Sequence, residues 1–400
     1  MPKKFLLVSQ VFYPDQVSTA GLFTSLCEEI AKAGIETEVW CAQPSYNTRQ
    51  KQKSRINYKG ITIRYLASTN YSKDKKLGRS LNYITFSISL IFKLLFTKDK
   101  TPIFTSTNPP FLGIIIAIVT TLKRRKFNYI IQDVFPEGLI RLKLLKENLF
   151  IVRFWKTLNR FTLKKALQII VIGRDMLQWV EQTNTKALAK TKYIPIWQDQ
   201  GLIAPKSFDS NPFVSEHELD NKFIVQYSGN MGLWNDMRTF GLVANKLANE
   251  QINFVFIGDG VRKAELTDAI TSESREHIHF LPFQPKENIG DSITACHIAL
   301  VSLNTGLEGM AVPSKIMGIM AAGIPVVACV PELSEIAQIV KENECGLIVP
   351  PGDEQACANA ILKLYAHTSN RKRFGENGRK AFLNMYSTQV IAKEYINLIS

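Results

Sequence analysis

Short runs of uninterrupted apolar residues alternate with longer amphipathic stretches along the first half of the chain. "KFLLVSQVF", "ETEVWCA", "GITIRYLA", "PIFTSTNPP", "NYIIQDVFP" and "QIIVIG" read as strands, and their lack of polar alternation is the pattern of a sheet buried on both faces. Between them, "TAGLFTSLCEEIAKAG" reads as a helix stopped at Gly34, residues 111–122 as an apolar helix, and "MLQWVEQT" as the start of another. Polar, turn-rich "APKSFDSNPFVSEHELDN" then intervenes. Beyond it "FIVQYSG", "INFVFIGDG", "IHFLPF", "IALVSL", "IPVVACV" and "CGLIVPP" resume the alternation. The pattern predicts an α/β protein of two doubly wound, Rossmann-like parallel-sheet domains over residues 1–200 and 223–380. A linker region at 201–222 would join them, and a helix within 381–400 would pack back on the first domain. Two such halves imply a cleft.

Length and charge refine this picture. At 400 residues the chain exceeds one ordinary core, which agrees with two domains. No apolar run reaches the length of a membrane span: "LNYITFSISLIFKLLF" is broken by Lys93, and "FLGIIIAIVTTL" has the length of a core helix. The start mimics a signal peptide, but its apolar run stops at Gln10, which suits a first strand. Six cysteines without a C-x-x-C pair read as reduced thiols and a cytoplasmic location. The net charge of +14 is concentrated in residues 141–165, where eight Lys or Arg accompany Glu147 alone. Leu142, Leu145, Leu149, Val152, Phe154, Trp155 and Leu158 recur there at helical spacing. Such a segment reads either as a peripheral contact with an anionic membrane or as a solvated face over a core stripe. No zinc-ligand spacing or RNA-binding signature points to nucleic acid.

Candidate chemistry lies at strand ends, where doubly wound sheets bind ligands. "YSGNMG" puts Gly229 and Asn230 where the backbone turns tightly, and "IGDGVRKAEL" ends a strand at Gly258 and places Arg262 and Lys263 at a helix start. Cations there oppose the helix dipole, so an anionic ligand would offset them. In "AVPSKIMGIMAAGIPVVACV", Pro313, Ser314 and Lys315 open a helix, and Ala321, Ala322 and Gly323 let it approach the next strand. A hydroxyl, an ammonium and backbone amides converging there suit a diphosphate; a plain helix start with packing spacers has the same residues.

"YSGN", "IGDG", "LPFQPKE", "VPSK" followed by "AAGIPVVA", and "GLIVPPGD" together resemble the nucleotide-binding domain of family-4 glycosyltransferases of the GT-B fold, in the branch that builds bacterial cell-surface polysaccharide. "YPDQVSTAGLFTSLCEEIAKAGIETEVW", "QDVFPEG" and "NGRKAFLNMYS" extend the resemblance over nearly the whole chain. It implies a retaining transferase that moves a sugar from a nucleotide-sugar, by default a UDP-sugar, to a saccharide or polyprenyl-linked acceptor. Phe283, Gln284 and Pro285 would line the base pocket, with Gly229, Asn230, Gly258, Arg262, Lys263, Pro313, Ser314 and Lys315 around the diphosphate. Asp15, Ala20, Gly21, Asp133 and Glu137 would face the acceptor. The chain departs from the family at Met310 and Gly318, where two glutamates are usual; Glu308 and Glu335 are the candidate substitutes. Asn230 and Asn235 stand where many relatives have Arg and Lys, and Gln132-Asp133 where many have His-Asp.

The mechanism expected from these residues needs no metal and no cofactor. The chain has no Asp-x-Asp pair for a divalent ion, so Arg262, Lys315 and helix amides would stabilise the departing diphosphate. All five histidines lie in the second half, so a base on the acceptor side is a carboxylate, with Asp133 foremost. Two rivals share the architecture: a nonhydrolysing UDP-sugar epimerase and a catalytically silent sugar-nucleotide-binding protein.

Overall fold

A computed structural model describes residues 3–44, 50–72 and 76–399. Contacts divide the chain into two compact units, Met1–Pro195 with Thr388–Ser400, and Ile196–Ser387. The divisions lie at 195/196 and 387/388, against sequence-based boundaries at 200, 222 and 380, so residues 201–222 belong to the second unit.

The first unit starts with β1 (Lys4–Val8), α1 (Ser18–Lys32), β2 (Glu36–Cys41), β3 (Arg55–Tyr58) and β4 (Ile61–Tyr65). It continues through α2 (Lys76–Phe96), β5 (Ile103–Ser106), α3 (Leu112–Leu122), β6 (Phe127–Ile131), α4 (Glu137–Arg141) and α5 (Phe150–Lys165). Strand β7 (Gln168–Val171), α6 (Met176–Thr183), α7 (Thr185–Leu188) and β8 (Thr191–Tyr193) complete its first pass. Among the described residues the eight strands pair in the order β3-β4-β2-β1-β5-β6-β7-β8. All pairs are parallel except β3 with β4, so the sheet is mixed at that edge. The Phe5–Val8 segment is fully buried, as apolar runs without alternation require. The order reverses at β1, whose neighbours are β2 and β5. In the basic segment 141–165, Arg141 ends α4 and the chain is helical again from Phe150, with Val152 and Trp155 buried while Phe150 and Phe154 are exposed.

The second unit contains α8 (Pro212–Glu216), β9 (Phe223–Ser228), α9 (Arg238–Lys246), β10 (Ile252–Ile257), α10 (Lys263–Thr267) and β11 (Ile278–Leu281). These are followed by α11 (Ile289–Thr294), β12 (Ile298–Ser302), α12 (Lys315–Ala322), β13 (Val326–Cys329), α13 (Glu335–Glu342) and β14 (Gly346–Val349). Helices α14 (Glu354–Ala366) and α15 (Thr368–Ala381) end it, and α16 (Thr388–Asn397) returns to the first unit against α1. The six strands, all parallel, run β11-β10-β9-β12-β13-β14. This is the dinucleotide-fold order 3-2-1-4-5-6, whose switch point lies between its first and fourth strands. Here those are β9 and β12.

Helix α12 explains the small-residue stretch. Every residue from Ile316 to Ala322 is buried, so the helix is apolar all round and sits inside the unit. Gly323 stops it in the left-handed conformation, φ 70°. A Cβ on Gly375 of α15 would come within 2.0 Å of the Gly323 carbonyl oxygen, so these backbones touch. Burial on all sides fixes where the first residue of α12, Lys315, can reach.

Candidate functional site

The carboxyl ends of β9, β10 and β12 come together through their loops. Past β9 the chain turns at Gly229, φ 123°, and past β10 at Gly258 and Gly260, φ 121° and 156°. The two loops interlock by backbone hydrogen bonds: Gly229 N–H to the Ile257 carbonyl, 2.9 Å, Met231 N–H to that of Asp259, 2.9 Å, and Arg262 N–H to that of Met231, 3.0 Å. A Cβ on Gly258 would lie 2.3 Å from the Gly229 carbonyl oxygen, and one on Gly260 2.3 Å from that of Met231. Those two glycines therefore serve loop-to-loop contact. Gly229 differs, because its open side faces the end of Lys315, whose Nζ would lie 3.7 Å from an added Cβ.

Lys315 carries the unusual electrostatics. Its ammonium nitrogen is buried and, among the described residues, has no hydrogen-bond acceptor, although the residue as a whole is only half-buried. It sits 3.4 Å from the centroid of the Tyr227 ring, a cation–π contact that partly replaces lost hydration. Burial holds its pKa well below the usual lysine value. Tyr227 is itself buried and donates its hydroxyl proton to the Asn230 carbonyl, 2.9 Å. Asn235 Nδ2 donates to the same carbonyl, 3.1 Å, and Asn304, past β12, donates to the Leu233 and Asn235 carbonyls. Asn230, whose side chain approaches Gly260, is thereby held on a braced loop.

The other two cations expected at this point are already engaged. Arg262 makes a two-pronged contact with Glu265, 2.9 and 2.8 Å, and its Nε donates to the Leu233 carbonyl. Lys263 pairs with Asp259 at 3.9 Å and lies over the Phe280 ring. The expected convergence of three free cations is corrected on this point: acids one turn away already meet Arg262 and Lys263, and Glu265 in the first turn of α10 offsets the dipole that a ligand was invoked to offset. Phe283, largely exposed, approaches Gly258, with Gln284 and Pro285 following in the turn where Gln284 Nε2 donates to the Pro282 carbonyl.

Pro313 and Ser314 lead into α12, with Ser314 at its N-cap. Glu308 lies between β12 and α12, and Glu335, buried, opens α13 past the carboxyl end of β13. Ser334 caps that helix by accepting from Ala337 N–H. Neither family glutamate position suits a carboxylate in this chain. Met310 is buried, and a side chain at Gly318 would meet Ile203 and Ile293 at 3.2 and 3.3 Å.

With this geometry in place, the comparisons identify the domain that the second unit carries. The profile "Glycosyl transferases group 1" matches residues 209–381, the segment that holds every element just described. The second unit is a group 1 glycosyltransferase domain. Over a longer stretch, the chain is 28% identical to "Probable glycosyltransferase WbjE" of Pseudomonas aeruginosa, covering 72% of each protein. It is 22% identical to "Putative colanic acid biosynthesis glycosyl transferase WcaI" of Escherichia coli K12, across 93% of this chain and 95% of that one. Among solved structures it resembles sucrose-phosphate synthase from Thermosynechococcus elongatus, TM-score 0.76 at 17% identity, covering 99% and 98% of the two chains. It also resembles Anabaena HepE in complex with UDP-glucose, TM-score 0.70 at 19% identity over 99% of both. The fold is GT-B.

In the first unit, the acceptor-side candidates follow two strands that flank β5: Asp15, Ala20 and Gly21 come after β1, and Asp133 and Glu137 after β6. Thr107, just past β5, accepts from the backbone N–H groups of Gln132 and Asp133 through its hydroxyl, each at 3.0 Å. The Asp133 carboxyl is pushed up to about 6 by burial. Glu137, on the same loop at the start of α4, keeps one carboxylate oxygen buried without a partner among the described residues. Asp15 is buried in the β1–α1 loop, where its N–H donates to the Phe12 carbonyl, and Gly21 is exposed on α1. Ala20 requires a correction: it is fully buried, so its methyl packs inside the unit instead of facing a ligand. The sequence reading missed Tyr227, Asn304 and Thr107, although each sits within two residues of the end of a strand that it placed.

Proposed function

We propose that this glycosyltransferase moves a sugar, with retention of configuration and without a divalent metal, from a UDP-sugar to a saccharide or polyprenyl-linked saccharide on the cytoplasmic side during assembly of cell-surface polysaccharide. The observation that carries the donor assignment is the buried Lys315 ammonium, which has no acceptor among the described residues, beside Gly229 at the β9/β12 switch point. A leaving diphosphate supplies the acceptor that the ammonium lacks and is stabilised as its charge develops. The relatives named for colanic acid and capsular polysaccharide glycosyltransferases support the pathway class, and the HepE complexes with UDP and UDP-glucose support the uridine donor.

The amides around Gly229 and the Lys315 ammonium hold the diphosphate, and Phe283 offers a face for the base. Glu335, or Glu308, takes the ribose hydroxyls. Retention is the economical stereochemistry: the departing phosphate oxygen accepts the acceptor's proton on the face it leaves, and no imidazole is needed. Asp133 orients the acceptor hydroxyl. Calorimetric titration of UDP, GDP and TDP with and without chelator tests the donor and the metal together. UDP preference unchanged by chelator is expected; preference for another base, or binding only with a divalent ion, refutes that part. Proton NMR of the product anomer decides retention against inversion.

A further inference from the structure

Three helices of the first unit leave large apolar side chains in water. Helix α2 buries Phe86, Leu90 and Leu94 on its inward side. On the opposite side Leu77, Leu81, Ile84, Ile88, Phe92 and Phe96 follow one another at steps of three or four residues, and all are exposed, Leu77 by 73% and Phe96 by 80%. Helix α3 packs beside α2, and α5 beside α3. These neighbours add Leu122, 72% exposed, and Phe150, 82% exposed. Isolated exposed apolar residues need no explanation, but an aligned stripe continued onto adjacent helices does.

The charges around the stripe select what covers it. Helices α2, α3 and α5 contain no Asp or Glu, whereas α5 alone carries Arg153, Lys156, Arg160, Lys164 and Lys165. Past the ends of α2 and α3, exposed Lys98, Lys100, Lys123 and Arg124 surround a depression that also holds Phe96 and Leu122. The one acid in its lining, Asp99, is engaged by Lys4. A second copy docking through this face would set basic residues against basic residues, which complementary interfaces avoid. An anionic lipid surface accepts both components, with apolar side chains entering the acyl boundary and lysines and arginines meeting the headgroups. Crossing is a separate matter, because no helix among the described residues is long and apolar enough to span a bilayer.

We propose that the outer face of α2, continued by α3 and α5, docks the protein on an anionic membrane, with α2 lying along the surface. The sequence alone points to residues 141–165 for such a contact; the structure moves its centre to α2. The inference stands apart from the donor chemistry, since none of its residues lies in the second unit.

Sedimentation of the full chain with vesicles of phosphatidylcholine, with and without phosphatidylglycerol, tests it. Binding to the anionic vesicles only, released by high salt, is expected. The double variant Ile88→Glu, Phe92→Glu should lower the bound fraction about tenfold or more, with an unchanged melting profile and unchanged UDP titration. Four results would overturn the proposal: no binding to either vesicle, equal binding to neutral vesicles, binding by the double variant equal to wild type, or a dimer in sedimentation velocity that the double variant dissolves while vesicles stay unbound. Should the double variant not fold, Lys123→Glu, Arg124→Glu at the exposed end of α3 provides the same comparison.

Discussion

Replacing Lys315 by methionine separates catalysis from stability more cleanly than any other change in this protein. The substitution keeps an unbranched stem of similar volume in the slot beside Tyr227 and removes a buried ammonium that lacks a hydrogen-bond acceptor among the described residues. An unsatisfied buried polar group costs about 1 to 3 kcal/mol, more if charged, and the ring contact returns roughly 1 to 2 kcal/mol when desolvated. The variant should therefore be as stable as wild type or more stable by up to about 2 kcal/mol. For a unit of this size that is an upward shift of melting temperature of roughly 0 to 8 °C. The sign also depends on pH. Burial depresses the folded-state pKa of Lys315 below its unfolded value. The unfolded chain thus binds more protons between those two values, and wild-type stability rises with pH across that interval. The methionine variant should lose this rise. Turnover moves the other way: one preorganised contact to developing charge is worth about 3 to 4 kcal/mol, or on the order of a hundred- to a thousandfold in kcat. Release of UDP from UDP-sugar with acceptor present, followed beside differential scanning calorimetry, reads both. Wild-type turnover would remove Lys315 from the site, and a loss of melting temperature in step with activity would make it a structural residue only.

Other predictions test different parts of the molecule. Asp133, held near 6 by burial, is protonated below that pH, so the acid limb of the rate profile should fall near 6 rather than near 4 if its carboxylate orients the acceptor. Its raised folded pKa means that the native state holds the proton longer, so stability falls as pH rises from about 4 through 6; Asp133→Asn should remove that fall, worth roughly 3 kcal/mol, and flatten the acid limb. Gly258→Ala places a Cβ 2.3 Å from the Gly229 carbonyl oxygen at φ 121°; a loss of roughly 3 kcal/mol in urea unfolding is expected, and wild-type stability would mean the loops do not touch. In the first unit, burial alone would raise the Asp99 carboxyl, but hydrogen bonds to Thr101 and pairing with Lys4 bring it down to about 2. That depressed folded pKa adds stability above about 4 that is lost as pH falls toward 2; after solvent screening it amounts to about 1 kcal/mol, which acid titration of wild type against Asp99→Asn would detect.

All six strands of the second unit are legible in the sequence as short, mainly apolar runs that end in turn residues, even the edge strand β11, which has no fully buried residue. In the first unit β3 and β8 escape that reading. Both are short edge strands with no fully buried residue, and "RINY" alternates exposed and half-buried positions. Gly229 and Lys315 could be singled out from motif positions alone. That Arg262 would be met by Glu265 was also available, since the two stand three residues apart at a helix start, the spacing of a same-face pair. The tyrosine ring beneath Lys315 was not available, because Tyr227 and Lys315 lie 88 positions apart and meet only when β12 takes its place beside β9.

The sequence by itself determined the alternation of elements, the doubly wound class and the strand ends at which chemistry can gather, all of which follow from local hydrophobic period and turn residues. Tertiary structure decided which charges remain available and which apolar faces stay outside. Helix α2 makes the reason plain: Phe86, Leu90 and Leu94 form one apolar stripe and Ile84, Ile88 and Phe92 another on the opposite side. Periodicity reports that both stripes exist. Only packing against the rest of the unit selects which is buried, because the free energy of covering either stripe depends on what else the chain brings next to it.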